Sequence, residues 1–176
     1  MEILIIGGIL VLIMVVVSTQ IKKSAARAFE REIIETDNFR IVKPEGFINP
    51  IRERSAYLFE AYTKDFGEKS ERNIWKAQAY LTVSENSNFA SECKNAKNKT
   101  ETILSEKIDK DATAAGKICL LESEKVEKEF RFNEFHKIVE SKKQRRIYDL
   151  RIMVLHSFRE ELIGRIDEMI NSFQVK

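Results

Sequence analysis

The chain has 176 residues, and its 30 Lys and Arg are nearly balanced by 28 Asp and Glu. Charges of both signs are interspersed after residue 30, which makes an ordinary solvated surface and excludes a nucleic-acid footprint. Two prolines and six glycines leave no low-complexity linker, and about 155 residues past the leading apolar run suffice for one domain with its own core.

That apolar run, Ile3 to Ile21, carries no charge. As a helix it reaches about 28 Å, close to the hydrocarbon thickness of a bilayer, so a transmembrane helix over residues 1–21 is predicted, with membrane lipid as its partner. Only Met1 and Glu2 precede it, so it lacks the positive leader of a cleaved signal. Lys22, Lys23, Arg27 and Arg31 follow it. Basic residues on that side predict a cytoplasmic soluble part, and these four are the candidate contacts with the membrane surface. Ile21, Ala25, Ala28, Phe29 and Ile33 recur at helical spacing, which predicts a juxtamembrane amphipathic helix over 22–36.

A soluble α+β domain is then expected over 37–176. Phe39 to Lys43 alternates as a strand does, and Pro44-Glu45-Gly46 supplies a turn. Tyr57 to Thr63 and Trp75 to Val83 alternate again across a break near Gly67, the pattern of an antiparallel hairpin with Trp75 on its inward face. Asn86-Ser87-Asn88 offers cap oxygens, and the 3.6-residue period of Phe89, Cys93, Ala96, Thr100, Ile103 and Leu104 predicts a helix over 88–105. Asp109 to Gly116 is polar and small, as a loop would be, and leads into a short strand, Lys117 to Glu122. A strand is expected from residue 130 to 139, a polar turn at Ser141 to Gln144, and a strand over Tyr148 to Val154. Ser157 and Glu160 have capping-box spacing, and the stripe Phe158, Leu162, Ile163, Ile166, Met169, Ile170 and Phe173 marks a final helix. The predicted fold class is thus α+β, an antiparallel sheet of about five to six strands with two packed helices behind one N-terminal transmembrane helix.

Lys43-Pro44-Glu45-Gly46-Phe47, the helix opening at Phe89, Tyr148-Asp149-Leu150-Arg151 and the closing Asn171-Ser172-Phe173 occur in an order that resembles the PsbP-like domain over residues 37–175. The resemblance implies a non-catalytic domain that docks on other proteins, often beside a membrane complex, and implies no role for any single residue.

Little in the sequence marks chemistry. His136 and His156 both fall on predicted strands, where their rings meet if those strands pair, without Cys-x-x-Cys or His-Glu-x-x-His near them, and no glycine-rich loop or serine elbow is present. No catalytic, cofactor-binding or metal-binding residue is therefore assigned, and no cofactor is expected. In a cytoplasmic domain Cys93 and Cys119 are reduced, buried thiols; in an extracytoplasmic one they form a possible disulfide pair. The expected function is that of a single-pass accessory or docking subunit that binds a partner protein or membrane complex. The alternative is a tethered small-ligand or lipid-binding domain, its cavity between the sheet and the helix over 88–105.

Overall fold

The computed structural model describes residues 2–50, 56–63, 74–113, 116–127 and 129–176, with the backbone alone for 2–11 and 110–113. The break expected near Gly67 lies outside these residues. Helix α1 runs Glu2–Ala28. Strands β1 (Glu32–Glu35), β2 (Phe39–Lys43), β3 (Phe47–Ile48), β4 (Phe59–Thr63) and β5 (Ala77–Glu85) follow, then α2 (Phe89–Asn98). Four long strands come next, β6 (Thr102–Thr113), β7 (Gly116–Glu127), β8 (Phe130–Ser141) and β9 (Arg146–Leu155). A 3-10 turn over His156–Phe158, α3 (Arg159–Ser172) and β10 (Gln174–Val175) close the chain.

The large sheet is seven-stranded, in the order β3-β4-β5-β9-β8-β7-β6, and a small three-stranded sheet has the order β1-β2-β10. Every pairing is antiparallel. The expected hairpin forms as β4 against β5, with Ala61 opposite Ala79.

Three expectations are corrected. The helix stops at Ala28 and does not reach 36, because Ile33 and Ile34 pair with Val42 and Ile41 in β1–β2. The helix over 88–105 ends at Asn98, and Ile103 and Leu104 belong to β6, so their helical spacing with Cys93 was coincidental. The loop expected over 109–116 is mostly the end of β6, which lengthens β7 as well and brings strands not foreseen to the sheet.

One face of the large sheet carries the main core. Ala77, Ala79 and Leu81 from β5 and Leu150, Ile152 and Val154 from β9 are fully buried beneath Leu162, Ile166, Met169 and Phe173, with Phe39 and Ile41 of β2 alongside. The alanines leave room for α3 to lie close. Each large apolar side chain buried there contributes about 2 kcal/mol, well above any difference in helix propensity. The smaller α2 packs on the opposite face through Phe89, Cys93 and Ala96 against Cys119, Leu121, Ile138 and Ile147.

Helix ends are closed by unlike means. Asn88 caps α2 as expected, its Oδ1 accepting from Ala90 N–H at 2.8 Å. The Ser157–Glu160 capping box is absent: Ser157 lies inside the 3-10 turn, Phe158 holds the cap position, and Arg159 Nη1 takes the Glu160 carboxylate at 2.8 Å. At the far end of α3, half-buried Lys137 Nζ donates to the carbonyls of Ile170 (2.7 Å) and Phe173 (2.8 Å). Lys43, 3% exposed, does the same for α1: its Nζ donates to Ala28 O at 2.8 Å and pairs with Glu32 at 3.1 Å. Gly46 N–H donates to Phe29 O at 2.8 Å and adds a second tie.

Leu12 to Val17 and Ile21 of α1 are exposed apolar side chains. Among the described residues no helix is long and apolar enough to cross a membrane; the side chains of 2–11, half of the expected span, lie outside the description.

Gly116 opens β7 at φ +148°, where a Cβ would stand 2.0 Å from Glu140 O. Gly116→Ala is therefore expected to cost at least about 1–3 kcal/mol, read from the shift in urea midpoint. An unchanged midpoint would mean that this strand start yields freely.

Candidate functional site

The face of the large sheet that α2 leaves uncovered is the most distinctive surface of the protein. Alternation along β8 and β9 sends Glu134 and His136, and from the neighbouring strand Asp149 and Arg151, to that face; in the register His136 lies opposite Arg151. Glu134 is 1% exposed and forms an ion pair with Arg151. His136 Nδ1 lies 2.9 Å from Asp149 Oδ1 and 3.1 Å from its Oδ2. Nε2 stands 3.6 Å from Glu134 Oε1, within reach of an ion pair though too long for a hydrogen bond.

Two cations and two carboxylates thus gather on one face, His136 opposite Arg151, with Glu134 and Asp149 diagonal to them. Burial works against a charged His136, yet the Asp149 and Glu134 carboxylates outweigh it and raise the imidazole to about 9. Burial likewise pushes Glu134 up, but His136 and the Arg151 guanidinium hold its carboxyl below the ordinary value. At neutral pH His136 therefore holds its proton. A general acid or base wants a value near the working pH, which this arrangement removes.

Aromatic rings flank the network. Tyr57 packs on Tyr80 with ring centres 4.7 Å apart, and Tyr62 on Trp75 at 4.2 Å. A groove of about 560 Å³ runs between Trp75, Tyr80, Phe132, Met153 and Arg151. It continues into a smaller, more enclosed one of about 220 Å³, whose far wall is α2 and its C-cap, with Glu92, Asn95 and Lys99. Trp75, expected on the inward face, is half-buried and lines this groove: the chain bends at Lys76, which resets the alternation before β5 begins.

The two histidines do not meet. His156 opens the 3-10 turn instead of sitting on a strand, and its Nδ1 lies 2.9 Å from Asn133 Oδ1. Among the described residues no group of three or more His, Cys, Asp or Glu could hold a metal ion. Cys93 and Cys119 are free, buried and in one cluster. Lys22, Lys23 and Arg27 are exposed on α1. Arg31 lies beyond the helix end and pairs with Glu168 of α3 at 2.6 Å.

The charged quartet was open to sequence reasoning. Glu134 and His136, like Asp149 and Arg151, are two apart on strands read as strands, so each pair had to share a face; only the register that interlocks them was missing.

No family model matches the chain, and no curated protein matches its sequence. Solved structures do share its fold. LpqN of Mycobacterium tuberculosis, described as involved in cell envelope biogenesis, aligns with a TM-score of 0.56 and 11% identity over 84% of this chain and 91% of its own. The Saccharomyces cerevisiae Ran-binding protein Mog1p aligns at 0.52 and 13% over 84% and 96%. Cyanobacterial PsbP (CyanoP) of Synechocystis sp. PCC 6803 aligns at 0.47 and 12% over 84% and 92%, too loosely to carry an argument. At such identities the likeness is one of fold alone: the chain has the α+β fold seen in LpqN and Mog1p.

Proposed function

We propose that the chain is a membrane-tethered, non-catalytic docking subunit whose open sheet face receives a partner protein at the cytoplasmic surface. The observation that carries this reading is the uncovered groove between Trp75, Tyr80 and Arg151, where stacked aromatics surround charges already fixed in place. Aromatics and arginine are the residue types that dominate protein interfaces, and charges held by their neighbours lose little freedom on binding. The fold neighbour Mog1p is a Ran-binding protein, an instance of this architecture serving recognition of another protein. Tethering is supported by the uncharged run Ile3–Ile21, and the cytoplasmic side by the four basic residues behind it.

Native mass measurement of the full chain solubilised from membranes tests the reading. A stoichiometric protein partner is expected, and Trp75→Ala is expected to weaken its retention about 30-fold with the melting temperature nearly unchanged. A chain that always flies alone, or retention indifferent to Trp75, would defeat the proposal.

One observation favours the tethered ligand-binding alternative. A groove of about 470 Å³ opens beside α2, walled by Phe89, Ala90, Cys93 and Ile108 with Lys94 and Lys117 at its margin. Its apolar walls and ammonium groups suit an anionic amphiphile. In the same mass measurement a bound lipid would appear as an increment of a few hundred daltons on the chain.

A further inference from the structure

The large sheet ends on β6, which among the described residues has a neighbour on one side only, β7. It is a long edge. Every residue from 102 to 109 is exposed, and three of them, Ile103, Leu104 and Ile108, are large apolar ones left between 43% and 47% exposed. A bare strand edge offers unpaired N–H and C=O groups to any second strand, and proteins blunt such edges with bulges, lysines or very short strands. Here the blunting is partial. Register shifts interrupt β6 between Ile103 and Ser105 and again between Asp109 and Thr113, so residues 105–109 form a regular stretch between two irregular ends.

The charges of this stretch answer themselves. With two copies laid antiparallel and Ile108 of one opposite Ile108 of the other, Lys107 of each copy faces Asp109 of its mate, and Glu106 faces the position of Lys110. Sliding one strand by a single residue sets Glu106 against Asp109 or Lys107 against Lys110; sliding it by two sets Lys107 on Lys107 or Asp109 on Asp109. Like charges directly opposite are unfavourable, so only the register centred on Ile108 escapes them. Glu106 already pairs with Lys97 of α2, which holds its carboxylate on the face it shares with Ile108.

We propose that β6 is a self-pairing edge: a second copy of this chain adds antiparallel along residues 105–109, across a two-fold axis at Ile108, and joins the two large sheets into one. A two-fold contact uses the same patch on both copies and closes at two. The opposite end of the sheet is β3, whose two residues offer too little backbone to continue the stack. The contact is small, so the dimer is a weak one that exchanges with monomer. It lies three strands from Arg151 on β9 and four from Tyr80 on β5, and so does not touch them. The pairing does not rest on the docking reading: doubling of the chain's own mass reports the one, and retention of a foreign protein the other.

The full-length chain in detergent is sedimented at concentrations from about 1 to about 100 µM. A reversible exchange between monomer and dimer is expected, with nothing larger. Lys107→Asp and Asp109→Lys are each expected to weaken self-association at least about tenfold, because either change sets like charges opposite one another on both sides of the axis. Mixed in equal amounts, the two variants are expected to regain dimerisation, since each then carries the charges that the other lacks, and native mass measurement should show the mixed dimer. The double variant Lys107→Asp/Asp109→Lys should dimerise like wild type. In the wild type alone, amide hydrogen exchange over residues 105–109 is expected to slow as the chain is concentrated. A chain that stays monomeric across the range, dimerisation indifferent to the single changes, variants that mixing does not rescue, or exchange over 105–109 unmoved by concentration would overturn the proposal.

Discussion

Replacing Glu134 by alanine is expected to lower the stability of the domain by about 3–5 kcal/mol, among the largest single effects available in this protein. The reason is asymmetry. Glu134 is the buried hub of the quartet, paired with Arg151 and within 3.6 Å of His136 Nε2, and its removal leaves a buried imidazolium facing the guanidinium with a single carboxylate, Asp149, left to answer both. Desolvating an unanswered charge costs several kcal/mol, whereas a network in which each charge has a partner can be near neutral relative to an apolar core. Glu134→Gln keeps the shape and should cost less. Joint replacement of Glu134, His136 and Arg151 by apolar residues of similar volume should recover most of the loss. Urea unfolding of the set decides the matter: a Glu134→Ala cost under about 1 kcal/mol would show that water reaches the network and screens it.

The second large effect is on the pH dependence of stability. His136 is raised from an ordinary value of 6.5 to about 9 in the folded state. A group whose folded value is the higher one contributes stability that is fully present below about pH 6.5 and is lost as pH rises through about 9. The shift corresponds to about 3 kcal/mol at most. Glu134 has the opposite sign: its folded value is lowered, so its contribution is present above the ordinary 4.5 and is lost as pH falls. The domain should therefore be most stable between about pH 5 and 6.5 and should weaken steadily toward alkaline pH. Asp149, Glu134 and Arg151 face the ring from the two central strands, and Cys119 lies close enough on β7 for its charge to couple to the ring. Because other groups titrate as well, the quantity to measure is the difference between wild type and His136→Asn. That difference should vanish above pH 9; an alkaline slope identical in both proteins would place the imidazole in the neutral form.

Where alternation was strict and the strand lay centrally, the sequence was enough: β8 and β9 were located within a few residues, and of the stripe read into α3, Leu162, Ile166, Met169 and Phe173 are buried while Phe158, Ile163 and Ile170 are only partly so. The misreadings share a cause. Over 88–105 a true helical stripe runs into a strand whose first apolar residues happen to continue its spacing, and only the pairing of β6 with β7 separates them. Ile33 and Ile34 fit a helix equally well, and hydrogen bonds to β2 decide otherwise. Trp75 was misassigned because the bend at Lys76 takes it out of the alternation that Ala77, Ala79 and Leu81 keep. The charged quartet and the stacked tyrosines depend on register across strands, which is not written in any local period.

Lys43 joins the leading helix to the domain mechanically. Its ammonium plugs the end of the leading helix while its own strand is woven between two others, and the Gly46–Phe29 bond grips the same spot. The leading helix is therefore mounted like a mast stepped into a hull, not trailed like a rope. Tilt or torque applied to that helix is delivered through this joint to the body of the domain.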